Sequence, residues 1–440
     1  MKKYTQVASA TLLAMGMSLV CANVEGAAEQ RKGPLKDMPS EPQGEHLEKI
    51  KALGDNEWVE LGAPAPDPEW GKACGRSWGG KAFVLAPDIR GAFFGGEGQH
   101  AFVKPNGYGM NDYWVYDINA HRWICIYPGV NTKDFSRQVK DGDLKVNEHG
   151  LVVDREGRLM PGKLIHAWGF FAYDTDRNRF ASGVGTGYNT YFFPGTYKNP
   201  NSEDIKKALK VLQEEMKARN PAVKSPMFYD VVKGKFECYP ASGKKSPTSG
   251  FPQFIYVPSI KQFFHFRRKD SSFYDPDKNV WTPVKVKGAR MVGYDINACY
   301  DSKRDVIYSG KFGVGSDARK AAEKEGIPNA ILVFDIQTKT WSQPDVKGKC
   351  PRHWSTNRCS VYYDSAGDVV VFLDYGEEQV YVYDPETGTW HDPTPMPEGI
   401  RKGRNFGNAF YDPELNVHFV LFSGDSRDNG VMWAYRYKRK

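Results

Sequence analysis

Residues that could move protons lie where the chain departs from its own repeat. His100 lies in the glycine-rich run GGEGQHAFVKPNGYGMND, and His166 follows a long connection over residues 130–165. Because histidine titrates near neutral pH, either side chain could act as a general base. Tyr188, with Tyr191 as the alternative, lies in the insertion GVGTGYNTYFF. A tyrosine beside cations has a lowered pKa and could pass a proton to a leaving group.

A second group of candidates is cationic. Arg267 and Arg268 end the run QFFHFRRK, and the planar guanidinium can hold a carboxylate through two parallel hydrogen bonds. Comparable loop or strand-start positions in later repeats carry Lys311, Arg358 and Arg404. Cations gathered on one face would suit a polyanion, whereas isolated surface cations are usually only solvated.

His265 belongs to the same run as Arg267 and is either a core residue or a zinc ligand. No metal-ligand spacing accompanies it, so a core position is the expected one. We expect no cofactor to be required. The sequence leaves open a structural metal ion, either zinc or calcium. The histidines and tyrosines named above have structural alternatives too, as partners of loop carbonyl groups or as packing residues.

The elements that must position these residues come from one repeated phrase. NDYWVYDINAHRWICIYPG at residues 111–129 has shorter variants in FYDPDKNVW, VFDIQTKTW and VYDPETGTW. Each phrase follows two β-rich runs, so every repeat contains four short strands separated by turn residues. That pattern predicts an all-β propeller of about six, possibly seven, four-stranded blades.

The sequence also predicts how the ring closes and where helices are inserted. The last repeat is one strand short, and NEWVELGAPAPDP at residues 56–68 has the character of the missing strand, so we expect it to close the ring. Ser202, followed by acidic residues and apolar residues at helical spacing, predicts a capped helix in the blade-two insertion. A second helical insertion is expected at residues 313–326.

The repeat resembles the kelch motif of galactose-oxidase-like propellers over nearly all of residues 56–437. The resemblance rests on Gly95-Gly96, on the Tyr-Asp pairs, and on the tryptophans that follow them, which are Trp123, Trp281, Trp341 and Trp390. It implies the fold and says little about function. The tandem histidines of the galactose oxidase copper site are absent, which disfavours copper-radical oxidation.

In residue types and face arrangement the chain also resembles ulvan-lyase-type polysaccharide lyases, which are usually described with seven blades. The resemblance implies β-elimination across a uronic acid, with His100 or His166 as base, Tyr188 as acid and an arginine at the carboxylate. Neutralising that carboxylate stabilises the developing enolate, for which Arg267 is the first candidate and Arg268 a further contact. The alternative is a non-catalytic propeller that binds a glycan or a protein through the same face.

Composition bounds the setting of the chain. Residues 1–28 have two lysines, an apolar run and then small residues, the layout of a secretory signal peptide. We therefore expect a signal peptide over 1–28, a linker over 29–55, and a secreted or periplasmic propeller over 56–440. The formal charge of +7 is a mild basic excess, which weakly favours an acidic polysaccharide as the partner.

We expect a monomer with no nucleic-acid or membrane partner. Cys21 lacks the small preceding residue that a lipidation site needs. In an exported chain the six remaining cysteines suggest disulfides, with Cys350 and Cys359 as the easiest pair.

Overall fold

The computed structural model describes most of the predicted propeller. The residues described are 31–76, 82–96, 104, 107–109, 111–161, 169–183, 203–219, 225–244, 253–267, 271–289, 291–292, 296–313, 320, 324, 330–352, 354, 358–398, 400, 407–423 and 430–438. The predicted signal peptide lies outside these residues. None of the described helices is long and apolar enough to cross a bilayer.

The segment ahead of the first blade packs on the propeller. A short 3-10 helix covers Gly33–Leu35, and the α-helix α1 spans Glu45–Ala52. α1 buries Leu47 and Ile50 on one face. The first strand, β1, then spans Glu57–Gly62.

The first two blades carry the largest departures from the repeat. Blade one contains β2 (Phe83–Ala86), β3 (Gly91–Gly95), β4 (Tyr113–Asp117) and β5 (Arg122–Tyr127), with a 3-10 turn at Pro87–Ile89. The connection to blade two contains α2 (Phe135–Lys140) and the hairpin β6 (Lys145–Val146) and β7 (Val152–Val153). Blade two contains β8 (Phe171–Asp174), β9 (Arg179–Ser182), β10 (Met227–Asp230) and β11 (Lys235–Glu237), with α3 (Glu203–Ala218) between β9 and β10.

The remaining blades follow the repeat more closely. Blade three contains β12 (Ser242–Gly243), β13 (Gln253–Val257), β14 (Gln262–Phe266), β15 (Ser271–Asp275) and β16 (Val280–Pro283), with a 3-10 turn at Pro258–Ile260. Blade four contains β17 (Lys287–Gly288), β18 (Ala298–Asp301), β19 (Val306–Gly310), β20 (Ile331–Asp335) and β21 (Thr340–Ser342). Blade five contains β22 (Cys359–Asp364), β23 (Val369–Asp374), β24 (Gln379–Asp384), β25 (Thr389–Trp390) and β26 (Thr394–Pro395). Blade six contains β27 (Gly407–Asp412), β28 (Val417–Phe422) and β29 (Val431–Arg436).

These sheets are arranged as a six-bladed β-propeller. Its ring closes through the first strand, because β1 is the outer strand of blade six and pairs antiparallel with β29. Trp58 lies opposite Tyr435 and Val59 opposite Ala434. The predicted fold class and ring closure are confirmed, with six as the number of blades.

The Tyr-Asp phrase of the repeat builds the hairpin turns. The aspartate caps the turn, as where Asp117 Oδ1 accepts the N–H groups of Asn119 and Ala120 at 3.1 Å each. The tyrosine hydroxyl reaches the side chain five positions later, where φ is positive and the turn ends. These pairs are Tyr116 and His121, Tyr274 and Asn279, Tyr300 and Asp305, Tyr363 and Asp368, and Tyr411 and Asn416. The phrase recurs because it fixes one tight turn per hairpin.

Aromatic side chains of adjacent blades pack face to face. Phe93 of blade one stacks on Phe180 of blade two with ring centroids 4.8 Å apart, and Phe264 of blade three stacks on Phe334 of blade four at 4.7 Å. Rings of this size bury a large apolar area for few residues. The predicted helix after Ser202 is also confirmed, because α3 buries its expected apolar residues, Ile205, Leu209, Leu212 and Met216.

The disulfide expectation is not supported. All six described cysteines are buried thiols, and none lies at disulfide distance from another. Cys350 and Cys359, the expected pair, both pack in the apolar interior beside Trp354 and Phe372. Burial in that interior raises the pKa of the Cys350 thiol to about 12, which disfavours the thiolate that disulfide formation needs.

Candidate functional site

Two faces of the ring differ in their loops. We call the face that carries the second-to-third strand loops and the connections between blades the loop face, and the opposite one the turn face. The turn face holds the short Tyr-Asp turns. The loop face holds the insertion that contains α3.

The predicted site residues divide accordingly. Six of them lie outside the described residues, namely His100, His166, Tyr188, Tyr191, Arg268 and Arg404. Four are described. Arg267 and Lys311 directly follow β14 and β19, the second strands of blades three and four, and Arg358 directly precedes β22. These cations therefore belong to the loop face of three consecutive blades.

His265 occupies the core rather than the face. Its side chain is fully buried in β14 and its ring meets Trp281 edge-on at 5.7 Å and Phe254 at 6.1 Å. In the described part of the chain, no group of three or more His, Cys, Asp and Glu side chains is arranged to hold a metal ion. The described surroundings of His265 are those of a core residue.

Sequence reasoning missed a buried carboxyl group beside Arg358. Asp374 ends β23 on the loop face, and its Oδ1 accepts the N–H groups of Gly376 at 2.8 Å and Glu377 at 2.9 Å. Its Oδ2 is buried without a hydrogen-bond partner among the described residues. The backbone N–H of Tyr375 donates to the Arg358 carbonyl oxygen at 2.8 Å, which joins the two strands at this point.

Gly376 leaves room for the side chains of Asp374 and Arg358 beside it. A Cβ atom on Gly376 would lie 3.1 Å from Asp374 Oδ1 and 3.5 Å from Arg358 Cδ, so the carboxyl group and the arginine stem both approach this glycine. The Tyr375 hydroxyl donates to Ser360 Oγ at 2.9 Å, and its ring lies against Gly407 of blade six. The centre therefore occupies the boundary between blades five and six.

The environment of Asp374 sets its protonation. Burial raises the pKa of its carboxyl to about 7, Glu377 adds to the rise, and the backbone N–H groups and Arg358 oppose it. Asp384 caps a similar turn on the opposite face, and there the bonds to Thr387 and Glu386 outweigh burial and lower the pKa of the carboxyl. The same capping role thus gives a group that exchanges protons near neutral pH at Asp374, where burial outweighs the hydrogen bonds, and not at Asp384.

A second buried cluster joins Arg76, which precedes blade one, to Lys104 and Asp112 between β3 and β4. Arg76 Nη2 donates to Asp112 Oδ1 at 2.5 Å, and Lys104 Nζ donates to Asp112 Oδ2 at 3.2 Å. Burial alone would raise the pKa of Asp112, but Arg76 and Lys104 lower it. Arg76 also binds Asn408 of blade six, since the Asn408 amide donates to the Arg76 carbonyl oxygen at 3.0 Å. This cluster therefore connects the segment between β3 and β4 of blade one to blade six.

A sequence signal existed for one of these centres and was overlooked. VVVFLD at residues 369–374 is a wholly apolar strand that ends in a carboxylate at a loop, and such a residue is a candidate for a perturbed pKa. The Arg76, Lys104 and Asp112 cluster carries no comparable local signal, because its members are brought together only by the ring.

No protein-family model and no curated protein matches this sequence, so the resemblance to kelch repeats and to ulvan lyases gains no support from known proteins.

Proposed function

We propose that the loop face binds an acidic, uronate-containing polysaccharide and cleaves it by β-elimination. The partner is chosen for its charge, because Arg267, Lys311 and Arg358 follow one another around this face in three consecutive blades. A polyanion releases its counterions when it meets such a series of cations. The mild positive charge of the whole chain acts in the same direction.

The chemistry proposed needs one cation and two proton-transfer groups. A guanidinium at the uronate carboxylate lowers the cost of removing the neighbouring C5 proton, because it stabilises the enolate that forms. Arg267 and Arg358 are the described candidates for that contact. His100 and His166 are the proposed bases, Tyr188 is the proposed acid for the departing glycosidic oxygen, and Tyr191, Arg268 and Arg404 are proposed substrate contacts.

The observation that carries the proposal is that exposed Arg358 and buried Asp374 both lie beside Gly376 on the loop face. Arg358 can meet a carboxylate of the polymer, while the Asp374 carboxyl behind it holds or releases a proton near neutral pH. We assign Asp374 a positioning role, because its side chain is fully buried.

The test incubates the protein with ulvan, alginate, pectin or glucuronan and follows the ultraviolet absorbance of each polymer solution. Elimination leaves a conjugated unsaturated uronate, so absorbance should rise with one of these polymers. His100→Ala or His166→Ala should abolish the rise, and Arg358→Ala should reduce it about tenfold or more. Lys278→Ala, which removes an exposed lysine of the turn face, is the control and should leave the rate unchanged.

A binding module without catalysis is the second candidate. It is favoured by the fact that the cationic series needs no proton-transfer group to hold a polyanion. Tight binding of a polymer that never develops absorbance, with weaker binding in Arg358→Ala, would replace the lyase proposal by this one. We further propose a secreted or periplasmic location, supported by the leader-like residues 1–28.

A further inference from the structure

A groove on the outer wall of the ring lies apart from Asp374 and Arg358 of the loop face. It has a volume of about 810 Å³ and is lined by β5 of blade one, by β11 of blade two and by the connection that carries α2 and the β6–β7 hairpin. That volume is within the range of ligand pockets, about 300–1,000 Å³. The connection departs from the repeat, so it is a part of the chain that the propeller scaffold does not require.

One wall residue lacks the turn partner that the corresponding tyrosines of blades one and three have. Tyr229 occupies the Tyr-Asp position in which Tyr116 and Tyr274 bond a turn side chain five residues later. In blade two that later residue is Gly234, which has no side chain to offer. The Tyr229 side chain is 1% exposed, and its hydroxyl has no hydrogen-bond partner among the described residues.

The glycine at this turn has a physical cause. Gly234 has φ +66°, and a Cβ atom there would collide with the carbonyl oxygen of Lys32, because the N-terminal segment crosses the turn. The Lys32 N–H donates to the Val232 carbonyl oxygen at 2.9 Å, which fixes that crossing. A buried hydroxyl without a partner costs free energy, and a ligand in the groove could offer it one.

The outer end of the groove is aromatic. Trp70 and Tyr108 both line it and meet edge to face, with ring centroids 5.4 Å apart and an interplanar angle of 77°. The Asp67 turn holds Trp70 in place, since Asp67 Oδ1 accepts the Trp70 N–H at 2.9 Å. Half-buried rings of this kind present a flat apolar surface beside polar groups, which suits the C–H face of a pyranose.

The two arginines of the groove are paired with its carboxylates. Arg158 bonds Asp154 at 2.6 Å and Glu156 at 3.0 Å, and Arg155 Nη1 lies 4.0 Å from Asp143 Oδ1. The groove therefore lacks the cationic excess of the loop face. It offers carboxylate oxygens and guanidinium N–H groups as hydrogen-bond partners for hydroxyl groups rather than for an anion.

We propose that this groove binds an uncharged oligosaccharide, with Trp70 as the stacking platform and the Tyr229 hydroxyl as a hydrogen-bond donor. The site is independent of the proposed lyase activity, because a neutral sugar has no uronate to eliminate. It would hold a neutral segment of a polysaccharide while the loop face takes an acidic one. Failure of either proposal leaves the other standing.

The test is isothermal titration calorimetry of the full chain with cellohexaose, xylohexaose, mannohexaose and laminarihexaose. One of them should bind, and Trp70→Ala should weaken that binding about tenfold or more. Trp433→Ala, which removes a partly buried tryptophan of β29 in blade six, is the matched control and should bind as the unaltered protein does. Absence of binding by all four sugars, or unchanged binding in Trp70→Ala, would overturn the proposal.

A pair of conservative variants separates binding from folding. Tyr229→Phe removes the unpartnered hydroxyl, so it should weaken sugar binding about fivefold while the melting temperature stays the same or rises. Tyr274→Phe removes the equivalent hydroxyl that is bonded to Asn279, so it should lower the melting temperature and leave sugar binding unchanged. Wild-type affinity in Tyr229→Phe would overturn the donor role and with it the proposal.

Discussion

Arg90 of blade one holds Asp412 of blade six through two parallel hydrogen bonds of 3.2 and 2.9 Å, across 322 positions of sequence. Asp412 is fully buried, whereas Arg90 keeps 13% of its side chain exposed. Charge-assisted paired bonds of this kind are strong and directional. The contact fastens the turn face where the first and last blades meet.

Arg90→Ala should lower the free energy of unfolding by about 2 kcal/mol, because it leaves the Asp412 carboxylate buried without its cation. Urea denaturation followed by circular dichroism measures the change. Arg158→Ala, which breaks an exposed pair with Asp154, is the control and should cost no more than about 1 kcal/mol. Equal losses in the two variants would mean that the closing pair has no special weight.

The histidine turn of blade one should make the protein sensitive to acid. Burial, and after it repulsion from His46, lower the pKa of His121 to about 4, and the two rings stack with centroids 4.9 Å apart. The unfolded chain therefore takes up this proton at a higher pH than the folded chain. Stability should fall by about 2 kcal/mol as the pH drops from about 6.5 to 4.

His121→Asn tests that expectation with a residue that the repeat already uses. Asn279 and Asn416 occupy the same turn position at φ +53° and accept the same tyrosine bond. The variant should retain the fold and lose part of the acid sensitivity between pH 6.5 and 4, as read from melting temperatures. The lowered pKa of His46 and the neighbouring Asp117 carboxylate supply what sensitivity remains. Identical pH profiles for variant and parent would refute the assignment.

Asp374 should act in the opposite sense. With its pKa raised to about 7 in the folded state, the folded chain keeps a proton that the unfolded chain loses near pH 4, so its contribution to stability declines from about pH 4 to 7. Asp374→Asn keeps an acceptor oxygen for the Gly376 and Glu377 N–H groups. It should be more stable than the parent by about 2 kcal/mol at pH 8 and equal to it at pH 4. A constant difference at both pH values would contradict a neutral carboxyl at Asp374.

The cysteines supply a direct chemical check. Alkylation in denaturant without reductant, followed by peptide mass spectrometry, should find free thiols at the six described positions, which are Cys74, Cys125, Cys238, Cys299, Cys350 and Cys359. A peptide pair linked through Cys350 and Cys359 would restore the sequence-based expectation. Oxidised dithiothreitol should leave the folded protein unlinked, because every one of these thiols is buried.

The fold was predictable because each repeat contains the same short-range turn contacts. A cap such as Asp117, a tyrosine five residues before the turn ends, and a tryptophan beyond it are short-range relationships that a sequence displays directly. The closing strand was predictable for a related reason, since a repeat that lacks one strand must find it elsewhere. Apolar spacing likewise foretold the buried face of α3.

The candidate site was less predictable, because its chemistry depends on burial. Asp374 and Asp384 both cap turns after apolar strands, yet only the three-dimensional surroundings raise the pKa of one and lower that of the other. The partnerless hydroxyl of Tyr229 depends on an N-terminal segment that crosses a turn about two hundred residues away in sequence. His100, His166 and Tyr188 stay predictions.

The pairing of β1 with β29 has a kinetic consequence. Glu57 lies opposite Arg436, so the outer strand of the sixth blade cannot find its partner until Arg436 has been synthesised. Contacts of such long sequence separation close slowly, because the intervening loop entropy is lost first. Until then β1 and the inner strands of the last blade present unpaired edges that can pair with other chains. Dilution or a strand-shielding chaperone should therefore raise the refolding yield, and the final phase of refolding should report closure of the ring.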